Sequence, residues 1–181
     1  MIANYPPMGW NSWDCYGAAV NEAQVRQNAD YMAKYLKPYG WEYVVVDIQW
    51  AQPTAENHQY EAFSQLVMDD YGRLIPAENR FPSAANGAGF KPLADYVHSL
   101  GLKFGIHIMR GMPRMAAHQH LPIKDSNYFC HQAANPGSSC AWNPDMYGLK
   151  CHTKAAKAYY VSIFALFAEW GVDFITSNII E

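Results

Sequence analysis

Three aspartates, Asp14, Asp47 and Asp173, stand where short apolar runs meet polar residues, in the company of Trp10, Trp13, Gln49, Trp50, His107 and Arg110. Two carboxylates on either side of a bond can protonate a leaving oxygen and attack or stabilise the opposite face, which is the chemistry of glycoside hydrolysis. Asp47 is the sharpest of them. It directly follows three valines, and an ionised group buried there is costly unless hydrogen-bonded, as it is when it grips a ligand hydroxyl or a structural donor. His107 ends a similar run and reads either as a ligand contact or as a satisfied core histidine. Asp14 reads as a site residue or as a cap for the following turn. Arg110 and Arg114 read as orienters of rim carboxylates or as plain loop cations. The two tryptophans of "PPMGWNSWDCYG" (6–17) and a total of 6 Trp and 13 Tyr add aromatic faces that stack on sugars or other planar ligands.

Other chemistries lack their signatures. No glycine-rich phosphate loop and no GxSxG nucleophile elbow follows any apolar run. His118, His120, His131, His152, Cys130, Cys140 and Cys151 show no CxxC or HExxH spacing, so neither a metal nor a cofactor is expected. Free thiols are the expectation for the four cysteines, with one loop disulfide among Cys130, Cys140 and Cys151 as the alternative. A formal charge of -3 with no Lys/Arg cluster argues against a nucleic-acid partner. No apolar run reaches membrane-spanning length, and the first residues lack the basic start and apolar run of a signal peptide.

The elements that must position these residues alternate. The runs "YVVVDIQW" (43–50), "LKFGIHIM" (102–109) and "VDFITSNII" (172–180) have the continuous apolar character of buried parallel strands, and "MGW" adds a short first strand. Helices are expected over 21–36 with Asn21 as N-cap, over 91–101 and over 154–171, the last two stopping at glycine. Four βα-type steps predict an α/β fold, either a doubly wound sheet or part of a (β/α)8 barrel. The long connections after the second and third strands carry the unusual residues, and ligands bind at the carboxyl ends of parallel strands in both folds. Within the first connection, "MDDYGRLIPAENRFP" predicts a short β-hairpin turning at "DDYG". The second contains "CAWNPDMYG", in which Trp142 is a candidate sugar-facing wall.

Taken together and in order, "PPMGWNSWD", "YVVVDIQW", "GLKFGIHIMRGMPR", "CAWNPDMYG" and "AEWGVDFI" resemble glycoside hydrolase family 27, the α-galactosidase and α-N-acetylgalactosaminidase family. The resemblance implies a retaining, metal-free glycosidase on a (β/α)8 TIM-type barrel, with residues 1–181 forming the first four βα units of its catalytic domain. It implies Trp13 as the platform under the sugar, and Asp47, Ile48, Trp50, His107 and Thr176 as substrate-binding positions. The family pattern has a second aspartate where Ile48 stands, and isoleucine favours a sugar lacking the hydroxymethyl group, as in the β-L-arabinopyranosidase members. The expected ligand is therefore a galactoside or an arabinopyranoside. His107 stands where many members have tyrosine. Thr176 takes the place of a sugar-contacting lysine, and Asn178 that of the catalytic nucleophile, where an amide forms no glycosyl ester at useful rates. The general acid/base is expected from a later strand, so an incomplete fragment of the enzyme is the expectation, with a noncatalytic carbohydrate-binding remnant as the alternative. A four-strand half barrel is expected to self-associate through its open edges.

Overall fold

A computed structural model of the chain describes residues 6–61 and 63–178, the last of these through its backbone alone. Strands β1 (Gly9–Asn11), β2 (Tyr43–Val46), β3 (Lys103–Met109) and β7 (Phe174–Asn178) form an open, wholly parallel sheet in the order β1-β2-β3-β7. Every expected strand is present, and the sheet does not close on itself. β3 lies in the middle and is buried on both faces from Phe104 to Met109, which is why its sequence runs apolar without alternation.

The crossovers are helical. The short α1 (Trp13–Tyr16) leads to α2 (Glu22–Tyr31), which is followed by α3 (Lys91–Ser99), the short α4 (Arg114–His118) and α5 (Cys130–Ala133), and the long α6 (Lys154–Glu169). Asn21 caps α2 as expected: its side chain accepts from the Gln24 amide, and the Gln24 side chain accepts from the Asn21 amide, each at 3.0 Å. The helical path then loosens through Met32–Leu36 and tightens through Lys37–Tyr39 rather than remaining one α-helix to residue 36. Gly101 and Gly171, which follow α3 and α6, have φ of 70° and 78°, the left-handed turn that lets each helix drop directly into its next strand.

Between sheet and helices, Trp50, Phe81, Phe90, Phe104 and Trp170 pack largely edge to face and are all buried. Each contributes about 1.5–3 kcal/mol by leaving water.

The two long connections are better ordered than their composition suggests. The expected hairpin is reduced to one antiparallel bridge, Met68 to Leu74, although its turn is built as read, with the Asp69 carboxylate accepting from the Tyr71 and Arg73 amides. The second connection contains an unanticipated antiparallel sheet, β4 (Met112–Pro113), β5 (Ala134–Ser139) and β6 (Met146–Leu149), in the order β4-β6-β5. Among the described residues no helix is long and apolar enough to cross a membrane.

Candidate active site

The parallel register sets the first contacts. Val46 of β2 pairs with Ile106 of β3, and His107 pairs with Thr176 of β7, so Asp47, His107 and Thr176 follow one another across the carboxyl ends of the strands. Asp47 is 8% exposed, with one donor on each carboxylate oxygen and acceptor capacity to spare. Its amide donates to the Ser12 hydroxyl at 2.9 Å, its Oδ2 accepts from Asn11 Nδ2 at 2.7 Å, and its Oδ1 accepts from the Ile48 amide at 2.8 Å. These donors offset the desolvation of the charge and fix the carboxylate's orientation. His107 Nδ1 lies 3.9 Å from Asp47 Oδ1. Neither ring nitrogen of His107 nor the Thr176 hydroxyl has a hydrogen-bond partner among the described residues, although all three atoms are shielded.

Above them opens a cavity of about 630 Å³ lined by Asn11, Trp13, Asp14, Asp47, Ile48, Tyr60, His107 and Trp142. One wall is aromatic. Trp13 and Tyr60 stack with centroids 5.5 Å apart and planes 12° apart, and Tyr60 continues to Trp142 at 4.9 Å. Burial, then the charges of Asp47 and Cys140, push the Tyr60 phenol up to about 12, so it faces the cleft as a neutral donor. Ile48 forms the apolar corner, 5% exposed and packed with Met109 and Met146. The site thus combines one fixed carboxylate, unpartnered polar atoms, flat aromatic surface and an apolar corner, the ingredients for gripping a sugar ring.

Two buried knots hold the loops that carry these residues. Asp145 accepts from Gln49 Nε2 at 3.2 Å, from the Phe63 amide at 2.9 Å and from the Ser64 hydroxyl at 3.2 Å, tying the two long connections together. Arg80 donates to the carbonyls of Gln49, Gln52, Ala18 and Val20, tying the first long connection to the segment after α1.

Trp13, Asp47, Ile48 and His107 line the cavity together with Asp14 and Trp142, whereas Thr176, beside His107 in the sheet, is not among its lining residues. Trp50 does not. Its indole is 2% exposed, packs on Phe90 and Trp170, and donates to the His107 carbonyl at 2.8 Å, because the chain turns at the end of β2 and sends this ring into the core. Asp173 precedes β7, at the opposite end of the sheet, where it pairs with His98 at 2.7 Å and accepts from the Phe104 amide. Arg110 donates to the Ser138 hydroxyl, and Arg114 lies between the rings of Phe63 and Tyr147, so neither orients a rim carboxylate. The Asn178 side chain lies outside the described residues. All four cysteines are unbridged, and among the described residues no three His, Cys, Asp or Glu side chains gather as metal ligands. Asn11, Tyr60, Asp145 and Arg80 were not marked by the sequence. Only Asn11, between the two tryptophans of "GWNSW", carried a positional signal.

With this geometry in hand, the profile of a family described as alpha galactosidase A matches residues 5–135, most of the chain. The chain belongs to glycoside hydrolase family 27. An α-galactosidase from Cyamopsis tetragonoloba is 37% identical over 131 residues, which cover 68% of this chain and 28% of that protein. The crystal structure of a family 27 β-L-arabinopyranosidase from Geobacillus stearothermophilus superimposes with a TM-score of 0.97 at 61% identity, over 99% of this chain and 41% of that one. A variant of that enzyme, solved in complex with arabinose, gives 0.96 at 61% identity, over 97% of this chain and 41% of that one. A Bacillus halodurans protein described as a putative α-N-acetylgalactosaminidase gives 0.93 at 58% identity, over 98% of this chain and 42% of that one. The family 27 chain thus spans less than half the length of each of these relatives.

Proposed function

We propose that residues 1–181 form the first four βα units of a (β/α)8-barrel glycosidase catalytic domain, and that their cleft recognises a terminal β-L-arabinopyranosyl residue in preference to an α-D-galactosyl one. The observation that carries the choice is Ile48 beside Asp47 in the cavity wall. L-Arabinopyranose presents the ring hydroxyls of galactose without the hydroxymethyl group. That group would meet an isoleucine side chain with no hydrogen bond to offer, whereas a pentopyranose leaves the corner apolar on both sides. The arabinopyranosidase similar to this chain supports the same choice. In this reading Trp13 carries the apolar face of the sugar, Asp47 accepts from its hydroxyls, and His107 and Thr176 supply the remaining polar contacts.

The chemistry that accompanies this reading is retaining hydrolysis: one carboxylate attacks the anomeric carbon and a second acts as acid and then as base. Asn178 stands at the attacking position implied by the resemblance, which favours a second reading, sugar binding without turnover. Hydrolysis of nitrophenyl β-L-arabinopyranoside and nitrophenyl α-D-galactopyranoside, measured beside quenching of tryptophan emission by L-arabinose, separates the two. Turnover of the arabinopyranoside at a kcat/KM at least about tenfold above the galactoside supports the enzyme reading. Quenching without turnover supports the binding reading, and a preference for the galactoside overturns the argument from Ile48.

A further inference from the structure

A second cavity of about 190 Å³ lies among the post-strand loops and shares no lining residue with the sugar cleft. Phe63, Leu66, Pro113 and Met115 make its walls mostly apolar, and Arg114 gives it a cationic side next to the His118 ring. The guanidinium carbon of Arg114 is held 5.0 Å from the Phe63 ring centroid and 4.6 Å from that of Tyr147. Two rings pack near the guanidinium without neutralising it. Its Nε is shielded from solvent and has no partner, and among the described residues Arg114 forms no ion pair. The carboxylate that also lines the cavity, Asp145, is occupied by Gln49, Phe63 and Ser64. His118 is likewise engaged, with Nε2 3.1 Å from the Tyr147 hydroxyl.

We propose that this cavity is a binding site for a small carboxylate with an apolar body, separate from the sugar cleft. A guanidinium with no direct ion pair at the wall of an apolar pocket favours an anion that can accept its N–H groups, and a planar carboxylate matches that fork. The volume and the Phe63, Leu66, Pro113 and Met115 walls select an apolar body of about one ring. A dicarboxylate is disfavoured by the charge of Asp145. Because Phe63 stands three positions from Tyr60, and Asp145 holds the Phe63 amide, an occupant of this site bears on the loop that walls the sugar cleft. The site does not depend on which sugar the cleft prefers.

The probe is benzoate, titrated calorimetrically into the full chain beside benzamide, its neutral isostere. Benzoate is expected to bind saturably, benzamide at least about tenfold more weakly, and saturating L-arabinose is expected not to displace benzoate. Arg114→Gln is expected to lower benzoate affinity at least about tenfold. Equal binding of benzoate and benzamide, displacement of benzoate by L-arabinose, or no saturable binding of benzoate each overturns the proposal. The two-ligand comparison needs no variant and therefore survives any effect of Arg114→Gln on folding. Absence of L-arabinose binding with benzoate binding intact would count against the cleft reading alone.

Discussion

Replacing Arg80 with methionine keeps most of the side-chain volume and removes four buried hydrogen bonds at once. In the native structure Nη1 donates to the Gln49 and Gln52 carbonyls at 2.8 and 2.9 Å, and Nη2 to the Ala18 and Val20 carbonyls at 2.5 and 2.6 Å. Burial lowers the guanidinium to about 10, so it is fully charged at neutral pH and all four bonds are charge-assisted. Hydrogen bonds to charged groups contribute about 1.5–3 kcal/mol each to stability. The desolvation of Arg80 offsets part of that, and some of the freed carbonyls reach water, so about 1 kcal/mol per bond and about 4 kcal/mol in total is the expected loss. Against a usual domain stability of about 5–15 kcal/mol, the variant should be close to unfolding. Arg80→Lys, with one ammonium in place of the fork, should recover about half. Urea unfolding followed by tryptophan emission measures both. The clamp joins the segment after α1 to the connection that carries Tyr60, so L-arabinose affinity should fall with stability. A loss under about 1 kcal/mol for Arg80→Met, within the range of an ordinary surface change, refutes the clamp.

Asp47→Asn should lower L-arabinose affinity about tenfold or more while the circular dichroism of the fold is retained, and unchanged affinity would remove Asp47 from the site. The Tyr60 phenol, held up to about 12, keeps its proton after an unfolded chain has lost it, so its contribution to stability is complete below about pH 10 and is lost as pH rises towards about 12. Ultraviolet difference titration of the chain against Tyr60→Phe reads this directly, and a phenolate appearing near the ordinary value of 10.0 contradicts the buried environment. Burial likewise raises the Cys130 thiol to about 11, whereas Cys15 and Cys151 are exposed. Mass spectrometry after brief iodoacetamide treatment should find Cys15 and Cys151 modified before Cys130.

The parts of the fold that were legible are those in which a residue's surroundings follow from its neighbours in the chain. Val44 to Val46 are apolar without interruption, and Phe104 to Met109 are broken only by Gly105 and His107, because helices and loops cover both faces of the sheet, and such runs mark strands without knowledge of their partners. Asn21 announces its helix through local hydrogen bonds alone. The β4-β6-β5 sheet is different. Its strands contain Pro113, Pro136, Gly137 and Gly148, and only the pairing of Ala134 with Leu149 and of Met112 with Tyr147 makes them strands. The site divides the same way. Asp47 directly follows β2 and His107 lies two residues before the end of β3, so both fall under the carboxyl-end rule. Trp50, a substrate-binding position by the resemblance, points into the core instead, because the chain turns after Val46 and carries its ring onto Phe90 and Trp170. Tyr60 and Asp145 reach the site area from long connections and acquire their roles from contacts across tens of residues, as with Asp145 and Gln49.

The most direct test of the account is calorimetric titration of L-arabinose and D-galactose into the chain and into Ile48→Asp. With isoleucine in place, L-arabinose should bind at least about tenfold more tightly than D-galactose, and Ile48→Asp should erase or invert that preference by offering the hydroxymethyl group an acceptor. D-Galactose binding as tightly as L-arabinose with Ile48 in place would contradict the account.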